Sequence, residues 1–220
     1  MVPCSKWSSF SRSPIMSPQA RPLRGAALWR DRGFITLSAG MTLGLFAQIG
    51  LISHLYSLLV PALGAQQTGL AMGFVTVMAI GGRTLLGWLM PLGADRRLVA
   101  CGGYVAQVAG CIVFILAAGT NVPLLLAGVV LFGVGFGNAT SLPPLIAQVE
   151  FVKEDVPRVA ALIVAIAQAG FAISPAFFAL VREFGAHPAG SAAGEAPAVF
   201  ATVAGVQCLA VCAFLAGRRR

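Results

Sequence analysis

Six apolar stretches, each long enough to cross a bilayer, fill most of the chain between residues 34 and 217. A transmembrane helix needs about 20 consecutive apolar residues. In lipid the backbone can satisfy its hydrogen bonds only in helices or closed barrels, and these stretches lack the two-residue alternation of barrel strands. The sequence therefore predicts an all-α membrane protein with six transmembrane helices, at residues 34–60, 68–92, 98–119, 122–146, 158–181 and 198–217.

The composition agrees with this fold class, because 58% of the 220 residues are hydrophobic, only 10% are charged and the mean hydropathy is +0.86. So little polar surface is atypical of a soluble domain. The net charge of +8 would also suit a nucleic-acid-binding protein. The placement of the basic residues must therefore distinguish the two classes.

The basic residues lie almost entirely on one side of the predicted helices. All of the 15 Lys and Arg residues except Arg83 and Arg182 lie in residues 1–33, in the gaps after the second and fourth helices, or at the carboxyl end. Because cytoplasmic loops carry the excess of Lys and Arg, we expect both termini to be cytoplasmic. The charge thus indicates that the partner is a lipid bilayer and not a nucleic acid. We expect this bilayer to be a bacterial inner (plasma) membrane.

The segments outside the apolar region are short and basic. Residues 1–33 are rich in Ser, Pro and Arg, and we predict a disordered cytoplasmic tail. An organellar transit peptide is the alternative, but its prolines oppose an amphipathic targeting helix. Residues 34–217 form the predicted membrane domain, and residues 218–220 a basic carboxyl terminus. The five cysteines form no CxxC pair, so we predict no metal site, cofactor or disulfide.

Small residues and prolines predict how the helices pack. Glycine pairs four residues apart allow two helices in lipid to approach closely. Pro175 in the fifth helix predicts a bend, and Pro143-Pro144 predict a distortion near the end of the fourth. The glycine pairs are Gly40 with Gly44, Gly69 with Gly73, and Gly133 with Gly137.

Polar side chains within the predicted helices follow single helix faces, and each must find a partner or line a water-filled cavity. We interpret these faces as the lining of a solute pathway, with no catalytic residue among them. The candidate substrate-binding residues are Arg83, Thr76, His54, Ser53, Ser57, Asn138, Ser141 and Gln168.

Arg83 and His54 each leave two interpretations open. A guanidinium at the centre of a membrane helix costs about 2.5–3.5 kcal/mol on insertion scales, so Arg83 needs a partner. That partner is either an anionic substrate, or helix carbonyls and the acidic residues of the gap near Glu150. His54 either contacts the substrate or forms a hydrogen-bonded helix contact.

The sequence GGRTLLGWLMPLGADRR, at the end of the second predicted helix, resembles the G-x-L-x-D-R-x-G-R-R motif of the major facilitator superfamily. Gly87 and Leu89 match its start, and Asp95, Arg96 and Arg97 match its charged end, with about four extra residues between. Residues 28–217 thus resemble the carboxyl-terminal six-helix half of such a transporter. The resemblance implies a 3+3 inverted repeat and a gating loop that contains Gly87, Asp95, Arg96 and Arg97.

Arg83 occupies the position at which monocarboxylate- and oxalate-type members of that superfamily place an arginine. This resemblance implies a secondary active transporter that moves a small organic anion by alternating access. Monocarboxylate carriers commonly place an aspartate one turn earlier, where this chain has Ala79. Proton coupling by such a pair is therefore not implied.

Complete members of the superfamily have twelve helices, whereas six are predicted here. We expect a truncated half first, and the alternatives are a half that pairs with a second six-helix half, or a homodimer. A non-transporting membrane assembly partner is the alternative function. An intramembrane hydrolase is a weaker one, because no serine in a predicted helix has a G-x-S-x-G setting, and we do not expect an enzyme.

Overall fold

The computed structural model describes residues 25–90, 94–139, 141–185 and 196–218, and every regular element within them is helical. A short 3₁₀ helix, Gly25–Arg30, precedes the α-helices. These are α1 (Arg32–Leu89), α2 (Arg96–Ala117), α3 (Val122–Phe136), α4 (Leu142–Glu150), α5 (Val156–Gly185) and α6 (Pro197–Ala216).

The first α-helix begins earlier than the sequence predicts. Asp31 caps α1, and its side chain accepts a hydrogen bond from the Phe34 N–H at 3.0 Å. Leu28, in the preceding 3₁₀ helix, is buried. The prediction of a disordered tail through residue 33 is therefore wrong for residues 25–33, because a capped helix end and a buried leucine order them. Residues 1–24 of that prediction lie outside the described residues.

Helix α1 consists of two arms that run in opposite directions. The Gly33 carbonyl accepts a hydrogen bond from Arg97 in the first turn of α2, and α1 ends at Leu89, shortly before α2 begins. Both ends of α1 thus lie at the same end of the bundle, so the chain must reverse within it. The reversal lies at Gly64, whose φ of 77° and ψ of 163° are not helical and are conformations that glycine adopts readily. We call residues 32–63 the first arm and residues 65–89 the second arm.

The predicted fourth helix is interrupted. Helix α3 ends at Phe136 and α4 begins at Leu142, so the prediction of one helix over residues 122–146 is wrong. Pro143 and Pro144 cannot donate to the carbonyls four residues earlier, which removes the hydrogen bonds that would carry the helix through this segment. The two prolines instead occupy the first turn of α4, where no such donor is needed.

Among the residues that the structure describes, four helices are long and apolar enough to cross a membrane: α1 over residues 32–88, α2, α5 and α6. Helix α3 is also apolar but has only 15 residues. The regular structure of the described ranges is thus entirely helical, as expected for an integral membrane protein.

Aromatic and glycine contacts hold the helices together. Tyr104 of α2 stacks on Phe214 of α6 with ring centroids 5.7 Å apart. Gly40 and Gly44 of the first arm lie against these two rings, where a Cβ atom would collide. The predicted close packing is thus confirmed for this glycine pair.

The other two glycine pairs behave differently from each other. Gly133 packs against Met78, and Gly137 against the backbone of Ala79, so α3 lies close to the second arm. At Gly69 and Gly73 no described atom outside the nearby backbone of the same helix lies within 4 Å of an added Cβ. The described residues show no close packing at that pair, because this face of the second arm points away from the bundle.

Candidate functional site

Arg83 lies on an exposed part of the second arm and binds the chain where α3 ends. Its Nε donates a hydrogen bond to the Gly137 carbonyl oxygen at 2.8 Å. The carbonyl belongs to the interrupted segment between α3 and α4, where regular helical hydrogen bonding stops. Arg83 therefore binds a backbone carbonyl at the end of α3, and backbone carbonyls are among the partners predicted for it.

Three other candidate residues lie near this interruption or on the same helix face. Asn138 and Ser141 belong to the interrupted segment, and Asn138 is buried, with its Nδ2 donating to the Val134 carbonyl at 3.3 Å. Thr76 is exposed two turns before Arg83 on the same face of the second arm, and its hydroxyl bonds within its own helix. Asn138 and Ser141 thus belong to the chain segment that Arg83 binds through the Gly137 carbonyl.

The candidate residues of the first arm form a separate group against α5. His54 Nε2 lies 3.1 Å from the Pro175 carbonyl oxygen. Ser57 Oγ accepts a hydrogen bond from Arg182 Nη1 at 2.7 Å and donates to the His54 carbonyl at 2.8 Å. Ser53 donates to a carbonyl of its own helix at 3.0 Å. These bonds are those expected for His54 as a helix contact.

Gln168 belongs to neither hydrogen-bonded group. It lies exposed on α5, and that helix continues through Pro175 to Gly185. The predicted solute-contacting role of this residue, like those of the other seven, stays a prediction.

Arg97 is the last residue of the predicted gating loop, and it is almost completely buried, with 2% of its surface exposed. Its guanidinium forms two bonds to the Glu150 carboxylate, Nε to Oε1 at 2.5 Å and Nη2 to Oε2 at 2.8 Å. It also donates to the Gly33 and Phe214 carbonyls at 3.1 and 3.2 Å, and to the Thr36 hydroxyl. One side chain thereby joins α1, α2, α4 and α6.

The residues beside Arg97 strengthen the same end of the bundle. Arg96 Nη1 donates to the Leu145 carbonyl of α4 at 2.5 Å. Asp95 caps α2 by accepting from the Arg97 N–H at 3.0 Å, and it pairs with Arg218 Nε at 2.5 Å. Burial raises the pKa of Asp95, but the hydrogen bonds from Arg218 and from backbone N–H groups outweigh this effect, so its pKa lies below the usual value.

Gly87 is the predicted gating residue that does not share these contacts. It lies exposed near the end of the second arm, and no described atom outside the nearby backbone of the same helix lies within 4 Å of an added Cβ. The charged end of the motif therefore forms a cluster at the helix ends, whereas Gly87 stands apart from it.

Several side-chain partners differ from those that the sequence predicts. Glu150 is a predicted partner of Arg83, but its carboxylate is bound by Arg97. Glutamines were also missed: Gln48, Gln107 and Gln207 are completely buried. The criterion that selected the other candidates, a polar side chain within an apolar helix, applies equally to these three.

A family model described as Major Facilitator Superfamily matches residues 2–175 of the chain. The matched range contains both the Arg83 interruption and the Arg97–Glu150 pair. No curated protein and no solved structure matches the chain.

Proposed function

The chain belongs to the Major Facilitator Superfamily, a superfamily of transporters, and we propose that it forms a six-helix unit of a secondary active transporter for a small organic anion. The six crossings are the first arm, the second arm, α2, the interrupted pair of α3 and α4, α5, and α6. They correspond to one half of the family fold, with its 3+3 inverted repeat.

Arg83 at the α3–α4 interruption is the observation that carries the substrate class. Cationic side chains inside membrane helices mark solute pathways, and interrupted helices are how transporters present binding groups at depth. A guanidinium binds a carboxylate through two parallel hydrogen bonds. The bond from Nε to the Gly137 carbonyl ties the guanidinium to the interruption.

The short helix α4 connects this site to the charged helix ends. Arg83 binds Gly137 before α4 begins, and Arg97 binds Glu150 where α4 ends. An anion that takes the guanidinium from the Gly137 carbonyl loosens the interruption, and a shift of α4 then acts on the Arg97–Glu150 pair. In this proposal that pair is the gate of alternating access.

In this proposal the Arg97 cluster and both termini lie in the cytoplasm, as the positive-inside rule favours, and the unit lies in a bacterial inner membrane. A second six-helix unit, either another half or a second copy, completes the pathway. The open face around Gly69 and Gly73 of the second arm, which the described residues leave uncovered, favours such a neighbour.

Uptake measurements in liposomes test the substrate class. We expect saturable uptake of labelled monocarboxylates or oxalate by the chain alone or coexpressed with a second six-helix unit. Arg83→Ala should abolish uptake, and Arg83→Lys should impair it, because an ammonium cannot form the paired bonds. The matched control is Arg158→Ala, which removes an exposed arginine from the first turn of α5.

Two outcomes contradict the proposal. Uptake that survives Arg83→Ala would remove the residue from the substrate site. If the wild type moves no anion at any pH, alone or with a second unit, the non-transporting assembly partner becomes the better explanation.

A further inference from the structure

Three glutamines from three different helices lie inside the bundle. Gln48 of the first arm, Gln107 of α2 and Gln207 of α6 have no exposed surface. Gln207 Nε2 donates to Gln107 Oε1 at 2.7 Å, which links α2 to α6. None of these residues takes part in the Arg83 site or in the Arg97 cluster.

The helix contacts bring Gln48 to the face that carries the other two. Gly40 lies against the Phe214 ring, and Gly44, one turn later, lies against Tyr104. Gln48 follows one further turn along the same helix face. It therefore points toward the seam between α2 and α6.

The same register brings all three glutamines to one level. Gln107 follows Tyr104 by about one turn along α2, in the direction in which Gln48 follows Gly44. Helix α6 runs in the opposite direction, and Gln207 precedes Phe214 by about two turns. Phe214 faces Gly40, and Gln48 follows Gly40 by about two turns, so Gln48 and Gln207 lie at the same level. We call Gln48, Gln107 and Gln207 the glutamine layer.

The layer is incompletely bonded. Within the described residues, Gln48 Nε2 and Oε1, Gln107 Nε2 and Gln207 Oε1 have no hydrogen-bond partner. The nearby Tyr104 hydroxyl lacks one as well. In a membrane-embedded bundle no bulk water can replace the missing bonds, so each such group destabilises this arrangement.

The unsatisfied groups of the layer complement one another. Gln107 offers a donor and Gln207 an acceptor, while the Gln48 amide carries one group of each kind. A rotation or shift of the first arm, together with the three side-chain torsions of glutamine, is the movement that would be needed to bring the Gln48 amide onto the Gln107–Gln207 pair.

We propose that Gln48 is a positioning residue that binds the Gln107–Gln207 pair in a second arrangement of the first arm relative to α2 and α6. The transport cycle visits that arrangement, so the assignment rests on the proposed transport function. Gln48 is unsatisfied in the arrangement described here and satisfied in the second, which draws the bundle toward the second state.

Opposite effects on stability and transport are the signature of such a residue. Gln48→Leu should raise the thermal unfolding midpoint by a few degrees, because it removes an unsatisfied buried amide. It should also slow anion uptake several-fold, because the second arrangement loses its bonds. The control Gln207→Leu should lower the midpoint, because it leaves Gln107 Oε1 without its donor.

Either of two results overturns the assignment. A lower midpoint for Gln48→Leu would mean that the amide already has a partner, such as a buried water. An unchanged uptake rate together with a higher midpoint would mean that the second arrangement plays no part in transport.

A distance measurement tests the second arrangement without transport. One spin label goes on the exposed Cys208 of α6 and one on Tyr56→Cys of the first arm, with the other four cysteines replaced. We expect two distance populations with Gln48 present and one with Gln48→Leu. A single population in both contradicts the proposal even if uptake is observed, whereas two populations without uptake contradict only the transport function.

Discussion

Arg97 and Glu150 form a doubly hydrogen-bonded ion pair between the first turn of α2 and the last residue of α4, 53 positions apart in the chain. The arginine is buried, and its remaining N–H groups bind the carbonyls of Gly33 and Phe214 and the hydroxyl of Thr36. A charge enclosed in this way depends on its counter-charge, because removal of one partner leaves the other uncompensated. The pair is therefore the point at which this end of the bundle is most sensitive to substitution.

Glu150→Gln should destabilise the protein by about 3–5 kcal/mol, since it leaves the buried Arg97 without its anion. Thermal unfolding in detergent or nanodiscs measures the effect. Glu154→Gln is the matched control, because Glu154 lies exposed in the gap after α4. Equal unfolding midpoints for the two variants would contradict a structural role for the ion pair.

Asp95 should make stability dependent on pH. Its folded-state pKa lies below the ordinary value of 3.8, so its contribution is fully present above that value and is lost as the pH falls through the folded-state pKa. Asp95→Asn should flatten this acid limb of the stability profile. Arg218→Ala should flatten it in part, because the backbone hydrogen bonds to Asp95 remain, and an unchanged acid limb in Asp95→Asn would refute the assignment.

Two glycine-to-alanine substitutions should have opposite effects. Gly137→Ala should destabilise the protein by about 1–3 kcal/mol, because the new methyl group would collide with the Ala79 backbone and push α3 from the second arm. Gly69→Ala should be neutral or stabilising by up to about 1 kcal/mol, since the position is open and alanine is the better helix former. Comparable losses of stability in both variants would contradict the packing described here.

His54→Ala should lower stability by about 0.5–1.5 kcal/mol, because the Pro175 carbonyl loses its hydrogen-bond partner. His54→Gln should recover part of the loss, since its amide can still donate. Unfolding midpoints measured at neutral pH compare the two. If both variants match the wild type, the contact between the first arm and α5 does not depend on this bond.

The helical class and the positions of most predicted helices agree with the structure, because apolar length and composition are properties of each segment alone. The reversal at Gly64 lies in the gap of residues 61–67 that the sequence predicts between the first two helices. The sequence predicts a distortion at Pro143 and Pro144, whereas the structure has it between Phe136 and Leu142. The difference arises because a proline disturbs the helix about one turn before itself.

Side-chain partners were harder to predict than helices. Glu150 is bound by Arg97 rather than by Arg83. The residues next to each arginine in the sequence do not indicate which of the two binds Glu150. The same is true of Gln107 and Gln207, which are 100 positions apart. Such pairs depend on how each helix is rotated and shifted against its neighbours.

Membrane insertion and helical class followed from the chain alone, because each apolar segment meets the bilayer independently and its backbone can satisfy itself only within a helix. Only the assembled bundle determined three other features. These are the two hydrogen bonds from Arg97 to Glu150, the bond from Arg83 to the Gly137 carbonyl, and the unsatisfied amide of Gln48. Those contacts join residues far apart in the chain, and a shift of one helix by a single residue would rotate each side chain by about 100° and change its partner.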